Sequence, residues 1–142
     1  MIEKIIYKTS LLAVIIKNSF KTEGIEFFTD HSSSQQLGYM NRPSGYVIPP
    51  HTHNIVVREV KFTQEVLFIK SGKVRVDFYD NEQNYIKSQL LEKGDIILLA
   101  EGGHGFKMLE QSEIVEVKQG PYCDEMDKVR FNPADEEKII LD

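Results

Sequence analysis

The sequence predicts an all-β domain, either a β-barrel or a double-sheet sandwich, and three observations support this prediction. From residue 44 onward, short runs of β-branched and aromatic residues end in turn residues, and a spacing of about 8–12 residues between such runs is typical of these folds. Segment 73–79 alternates strictly, so that Val74, Val76 and Phe78 share one face. The sequence lacks the long helical stretches that a parallel α/β sheet needs between its strands. Helix is expected only in short segments near the termini.

Further strands are predicted wherever an apolar run ends in turn residues. They cover residues 45–48, 65–69, 96–100 and 114–117. The apolar run 11–16 is predicted to form a buried strand or a short helix. Near the end of the chain, Asn132 is predicted to cap a helix that begins at Pro133, because proline suits the first helical position and the acidic residues that follow suit the positive end of the helix dipole.

Size and composition narrow the function classes. A chain of 142 residues suits one domain over residues 1–142. The formal net charge of −5 disfavours binding to nucleic acid or to anionic membranes. Cys123 is the only cysteine, so the chain has neither an internal disulfide nor a zinc-binding CxxC pair. The apolar run 11–16 is too short for a signal core or a membrane span, which predicts a cytoplasmic protein.

Three of the four histidines lie in two short stretches, IPPHTHN at 48–54 and AEGGHGF at 100–106. On a strand, His51 and His53 would point to the same side about 6.6 Å apart, and two imidazoles so placed can bind one metal ion. This pair alone also fits a half-exposed strand without a function. His104 favours the metal site, because three of its four nearest residues are glycines that let the backbone approach a site closely. A plain glycine-rich turn is the alternative.

A carboxylate would complete such a site, and Glu59 and Glu65 are the candidates. If the strand after His53 simply continued, Glu59 would lie about 20 Å away, too far to share an ion. A hairpin centred near residue 59 would instead place Glu65 opposite His53. Such a turn would lack Gly, Asn and Pro, which is unusual. Either glutamate could also be a solvated surface charge.

These residues resemble the first motif of the cupin superfamily. That motif usually reads Gly, five residues, His-x-His, three or four residues, Glu, six residues, Gly. The residues of this chain that match it are Gly45, His51, His53, Glu65 and Gly72. The departure is the gap between His53 and Glu65, which is eleven residues long.

The second cupin motif usually reads Gly, five residues, Pro-x-Gly-x-x-His, three residues, Asn. Gly94 and His104 match it. The segment is one residue shorter than the motif, Ala100 replaces the proline, and Met108 stands where asparagine is usual. The resemblance covers the core motifs at residues 45–118, about half of the chain, within the predicted single domain.

The resemblance implies a jelly-roll β-barrel (a double-stranded β-helix) in which His51, His53, Glu65 and His104 bind one divalent metal ion. Three neutral imidazoles and one carboxylate would leave the site with a charge of +1, and an octahedral ion would keep two positions open for a substrate. Iron, manganese or nickel is favoured on this likeness, whereas tetrahedral zinc would give a closed structural site.

The predicted function is a metal-dependent enzyme of the oxygenase or isomerase type. Its substrate would be a small polar molecule, such as a hydroxy acid, a keto acid or a sugar-like compound. The alternative is a non-catalytic barrel that binds a metal or a small ligand.

Other residues near the motifs have two interpretations each. Arg58 could reach an anionic substrate or be a surface charge, and Tyr46 and Tyr122 could line the pocket or simply pack. Arg75 shares a strand face with Asp77, so it could be a paired surface charge or could line the barrel.

The insertion at residues 54–64 carries five apolar residues that a hairpin would expose to water. Such an edge tends to pair with another chain, which predicts a homodimer. The competing prediction is a hairpin that covers the metal of its own barrel.

Overall fold

The structure is a computed structural model that describes residues 1–141, without the side chains of residues 124 and 125. The chain divides into two compact units, which are described separately. The sandwich unit comprises residues 1–20 and the chain from residue 62 onward, and the insert unit comprises residues 21–61.

The prediction of an all-β fold is confirmed. The strands are β1 (Ile2–Tyr7), β2 (Ser10–Ile16), β3 (Gly24–Phe27), β4 (Gly38–Asn41), β5 (Glu65–Ser71), β6 (Lys73–Tyr79), β7 (Tyr85–Glu92), β8 (Ile96–Leu99), β9 (Gly103–Met108) and β10 (Glu113–Lys118). Two short 3₁₀ helices follow, at Asp124–Asp127 and Glu136–Lys138. Of the two structures predicted for the run 11–16, the buried strand is the one observed, as β2.

Eight strands of the sandwich unit form two antiparallel sheets. The first sheet has the order β1-β2-β8-β5-β10, and the second has the order β7-β6-β9. The chain crosses from one sheet to the other after β5, β7, β8 and β9. In the described residues the two sheets are not joined strand to strand into a closed barrel, so β9 and β10 remain edge strands.

The core lies between these two sheets because each strand turns one apolar face inward. The first sheet contributes Leu67, Ile69 and Ile97, and the second contributes Val76 and Phe78, all nearly inaccessible to water. The predicted inward face of residues 73–79 is therefore confirmed. Burial of these side chains favours folding of the sandwich unit.

The opposite face of the second sheet is also buried, which the alternating pattern did not predict. The C-terminal segment (residues 131–141) covers it: the Ala134 amide donates to the Tyr79 hydroxyl (3.0 Å), and the Ile140 amide donates to the Tyr85 hydroxyl (2.9 Å). The predicted helix beginning at Pro133 is wrong. Helical turn forms only at Glu136–Lys138, where the segment lies against the sheet.

The insert unit holds a small hairpin of β3 and β4, followed by residues 42–61 without regular structure. The strand predicted at 45–48 and the hairpin predicted near residue 59 are both wrong. The residues there favour strand structure, but no neighbouring strand in the described residues pairs with their backbone groups. Without such pairing a favourable composition does not form a strand. Nothing in residues 1–141 is a helix long and apolar enough to cross a bilayer.

Candidate functional site

Glu65 is the first residue of β5, and its side chain faces the interior of the sandwich unit. Its cross-strand partners are Leu99 on β8 and Lys118 on β10. It shares its face with Leu67 and Ile69, which belong to the core, and it is itself buried. A carboxylate at this end of the core must have a polar or charged partner, because burial of an unpaired charge is costly.

His104 on β9 is that partner. It pairs in register with Phe78 and therefore faces inward from the second sheet. Its Nε2 lies 3.1 Å from Oε2 of Glu65, so the contact joins the two sheets through their interior. The side chain of His104 is 29% exposed and that of Glu65 is 9% exposed, which places the pair where the core opens to water.

Gly102, two residues before His104, forms a tight turn, which both predicted interpretations of the glycines allow. Gly102 adopts a φ of +76°, which glycine tolerates far better than other residues. A Cβ on Gly102 would lie 2.5 Å from the backbone oxygen of Tyr79, so the chain could not approach β6 as closely with any other residue. The tight turn therefore sets where β9 begins and aims His104 at Glu65.

Glu65 carries its negative charge at neutral pH. The hydrogen bond from His104 lowers the pKa of Glu65 below its usual value, and this effect outweighs burial, which raises it. The positive charges of Lys128 and Lys118 lower the pKa further. The pair thus presents an anionic oxygen and an imidazole nitrogen side by side, which is a donor set that divalent transition metals favour.

The distance between the two donor atoms agrees with shared coordination of one ion. Ligands that bind a metal at about 2.1 Å and at right angles to each other lie about 3 Å apart. The 3.1 Å between His104 Nε2 and Glu65 Oε2 has this magnitude. The same distance is that of an ordinary hydrogen bond, and a metal ion bound by these two atoms would have to displace the proton that they share.

His51 and His53 lie in the insert unit, exposed and outside any strand. Their ring centroids are 5.2 Å apart with an interplanar angle of 78°. Nδ1 of His51 lies 3.0 Å from the carbonyl oxygen of Pro49. Because a carbonyl only accepts, this contact places a proton on Nδ1 of His51, and in the neutral ring Nε2 then keeps the lone pair that a metal needs.

The structure thus brings together two pairs of the predicted ligands, Glu65 with His104 and His51 with His53. The pairs belong to different units. No cluster of three or more His, Cys, Asp or Glu side chains suited to a metal ion occurs in the part of the chain that is described. Glu59, the competing carboxylate, is exposed in the insert unit.

The remaining candidates divide between the surface and the interior. Arg58 is exposed, with its Nη1 3.5 Å from the carbonyl oxygen of Val56. Tyr46 is exposed beneath the guanidinium of Arg42, and Tyr122 is exposed beside a cavity. The predicted pairing of Arg75 with Asp77 is confirmed, but the predicted surface position is wrong: Arg75 is buried under the C-terminal segment and also pairs with Glu136.

The sequence reasoning missed the cations around Glu65. Lys118 directly follows the strand predicted at 114–117; it is the last residue of β10 and the cross-strand partner of Glu65. Lys128 is distant in sequence but acts electrostatically on Glu65. The sequence offers no charge signal for them, because positions 118–130 hold three basic residues and three acidic ones.

Comparison of the sequence with protein-family models and with curated proteins, and of the fold with solved structures, finds no match.

Proposed function

We propose that the chain is a metal-dependent enzyme that acts on a small polar molecule, with Glu65 and His104 as two ligands of one divalent ion. The observation that carries this proposal is the contact between these two side chains. Two residues 39 positions apart meet at 3.1 Å at the open end of an apolar core, and both are metal-ligand types. His51 and His53 are proposed as the other two ligands on the strength of the His-x-His motif.

The sheet order supports a jelly-roll fold for this enzyme. Jelly rolls contain eight strands in two antiparallel sheets, and the sandwich unit has eight strands in two such sheets. The repeated crossing of the chain between the sheets also agrees with a jelly roll. We therefore propose a jelly-roll topology. A closed barrel would require further strand pairing at the edge strands β9 and β10.

When bound, the ion would act as a Lewis acid that polarises a substrate oxygen. Iron, manganese or nickel is proposed over zinc because their octahedral geometry leaves positions for a substrate beside four protein ligands. The role of the protein is to hold the ligand side chains in place. Glu65 supplies an ionised carboxylate, His104 is fixed by the Gly102 turn, and the apolar side chains behind them limit the access of water.

Elemental analysis of protein purified without added metal tests the proposal, followed by assays with a panel of small hydroxy acids, keto acids and sugars. We expect about one equivalent of a transition metal per chain and turnover of at least one compound of the panel. A metal content near zero that added metal does not raise would contradict the proposal. A stoichiometric metal without turnover would instead support the non-catalytic alternative.

Removal of the metal distinguishes an open site from a structural one. Because the apolar core lies between the inward faces of the two sheets, chelation is expected to leave the urea midpoint of unfolding nearly unchanged. A large loss of stability on chelation would show that the ion is structural, as tetrahedral zinc would be.

A homodimer is proposed on the exposure of the insert unit. Ile55 is 100% exposed and Val57 is 96% exposed. Apolar side chains clustered in this way commonly mark a contact with another chain. Light scattering at micromolar concentration is expected to give twice the mass of one chain, and a strictly monomeric species would rule out the dimer.

A further inference from the structure

The edge strand β10 has an open side, where no neighbouring strand lies within residues 1–141. The amide and the carbonyl of Ile69 on β5 both bond toward β8. Backbone groups alternate in direction along an antiparallel strand, so Phe68 bonds toward its partner Val115 on β10. By the same alternation, Ile114 and Glu116 direct their backbone groups away from β5, toward the open side.

The side chains along this edge are also incompletely covered. Val115 and Val117 lie on the outer face of the sheet and are 52% and 58% exposed. Glu116 faces inward beside its buried partner Leu67, yet its side chain is 43% exposed. One oxygen of its carboxylate contacts Lys118 at 3.5 Å, which leaves the other for a second cation. An edge strand with exposed apolar side chains is the kind of surface that pairs with a further strand.

Residues 54–61 of the insert unit have the composition of a strand but are not part of one. Ile55 and Val57 are 100% and 96% exposed, so their apolar surface lies in water. Arg58 is exposed as well, and its Nη1 lies 3.5 Å from the carbonyl oxygen of Val56, which is beyond the usual length of a hydrogen bond. The chain therefore contains both an open strand edge and an exposed segment with the residues of a strand.

One antiparallel register matches the segment to the edge. It forms three complementary pairs: Arg58 with Glu116, Val57 with Val117, and Val60 with Ile114. The fourth pair, Glu59 with Val115, lies on the outer face, where the carboxylate keeps its water. A shift of two residues would set Arg58 opposite Lys118, a like charge, or opposite Ile114, and a shift of one residue would exchange the two faces of the added strand.

The chain cannot form this register with its own β10. In this register Phe62 lies beside Ser112, just before β10 begins, whereas Glu65 pairs with Lys118 at the other end of the strand. The six positions from Ser112 to Lys118 span about 20 Å. The three residue steps from Phe62 to Glu65 reach at most about 11 Å. A segment that adds to β10 in this register must therefore come from a second copy.

We propose that residues 54–61 of one copy add to β10 of a second copy as an antiparallel strand, and that the second copy returns the same contact. This inference rests on the proposed homodimer and specifies which surfaces meet in it. Strand addition of this kind takes its affinity from main-chain hydrogen bonds and its specificity from alternate side chains. Because a reciprocal exchange uses each open edge once, it closes at two copies.

Disulfide trapping tests the register. Val57→Cys/Val117→Cys is made in the Cys123→Ser background, which removes the only native thiol. Directly opposite residues of an antiparallel pair have Cα atoms about 4.5–5.5 Å apart, and a disulfide spans this distance. We expect the oxidised protein to run as a covalent dimer on a non-reducing gel.

Val57→Cys/Val115→Cys in the same background is the matched control for trapping. Its thiols would be diagonal neighbours about 7–8 Å apart, which a disulfide does not span. We therefore expect little covalent dimer. A disulfide within a single chain, equal trapping in the two proteins, or no trapping in either would overturn the proposal.

Charge exchange tests the contact without a cross-link. Arg58→Glu and Glu116→Arg are each expected to weaken the dimer about tenfold, because the altered pair occurs twice in each dimer. The double variant Arg58→Glu/Glu116→Arg should return to within about threefold of the wild-type dissociation constant. Sedimentation measures all three, with Glu82→Arg in the exposed turn between β6 and β7 as the control. Losses that multiply in the double variant would overturn the pairing of Arg58 with Glu116.

The mass of the wild-type protein separates this inference from the proposed function. A dimer that neither forms the disulfide nor responds to charge exchange would overturn the strand addition and leave the homodimer standing. A monomeric wild-type protein would remove both. Metal content and turnover, measured on the same protein, test the proposed enzyme independently of either result.

Discussion

Two charged clusters lie in the sandwich unit, on opposite faces of the second sheet, and they differ in how completely their hydrogen bonds are used. Arg75 makes four hydrogen bonds, two to Asp77 (2.8 and 3.0 Å) and two to Glu136 (2.8 and 3.1 Å). Ser88 adds a donor to Asp77, and Lys107 adds one to Glu136. These groups satisfy one another, which is how a buried charged cluster contributes to structure.

The Glu65–His104 pair is different. One hydrogen bond of 3.1 Å joins the two side chains, and among the groups that the structure describes no other hydrogen bond to either side chain is found. A carboxylate can accept about four hydrogen bonds, so Glu65 retains capacity for a ligand. The hydrogen-bonding groups of the Arg75 cluster are filled by one another, so it is a closed cluster. The Glu65–His104 pair is open, because it keeps acceptor capacity for a ligand, and it is therefore the candidate functional site.

The largest expected effect follows from breaking the closed cluster. Arg75→Met leaves the carboxylate of Asp77 buried without its cation, which typically costs about 3–5 kcal/mol of folding free energy. The matched control is Lys70→Met, because Lys70 pairs with Glu113 on the surface and both are about 60% exposed. The control should cost less than about 1 kcal/mol. Urea unfolding monitored by circular dichroism measures both variants, and a loss below about 1 kcal/mol for Arg75→Met would mean that the closed cluster does not stabilise the fold.

A smaller effect is expected at the open pair. Glu65→Gln removes the anionic ligand and should weaken the binding of Mn²⁺ about 100-fold, whereas Glu59→Gln should change it less than about twofold. Calorimetric titration measures both variants, with Glu59→Gln as the matched control. Equal losses, or a greater loss for Glu59→Gln, would show that the carboxylate ligand was assigned to the wrong glutamate.

The smallest effect concerns the attachment of the C-terminal segment. Hydrogen bonds from Arg75 and Lys107 lower the pKa of Glu136 from 4.5 to about 2. A lowered carboxyl pKa stabilises the folded state above the unfolded value and is lost as the pH falls through the folded value. Protection of the Ala134 and Ile140 amides from hydrogen exchange should therefore persist above about pH 4.5 and decline toward pH 2.

Glu136→Gln is the control for this titration. The neutral amide cannot ionise, so protection should be lower at pH 7 and should change much less between pH 4.5 and pH 2. If the wild-type protein and the variant lost protection in parallel, Glu136 would not be the group that holds the segment.

The sequence predicts five of the ten described strands, namely β2, β5, β6, β8 and β10, because their apolar faces are encoded locally. Segment 73–79 has the predicted bounds and the predicted inward face, and the runs beginning near residues 65, 96 and 114 are all strands. The burial of Arg75 could not be predicted in this way. Its cover is the C-terminal segment, about sixty residues later in the chain, and no periodicity encodes that contact.

The candidate site likewise was predicted only where its features are encoded in one short stretch of sequence. The glycines before His104 predicted either a close approach to a site or a plain turn, and the structure shows Gly102 close to the backbone of Tyr79, which agrees with both. The hairpin predicted to bring Glu65 opposite His53 does not form, so the link between the two pairs of ligands rests on the motif. Residues 55–57 have the β-branched composition of a strand, but a strand needs a neighbour, and composition does not specify one.

The most direct test of whether these histidines share one ion is a long-range ¹H–¹⁵N spectrum of the histidine rings recorded during titration with Zn²⁺, a diamagnetic substitute for the native ion. The ring nitrogens of His51, His53 and His104 should change together and reach a plateau at one equivalent. His31, the fourth histidine, should stay unchanged and serves as the internal control. Saturation that moves His51 and His53 but leaves His104 unchanged would contradict the account, because the Glu65–His104 pair would then not be part of the metal site.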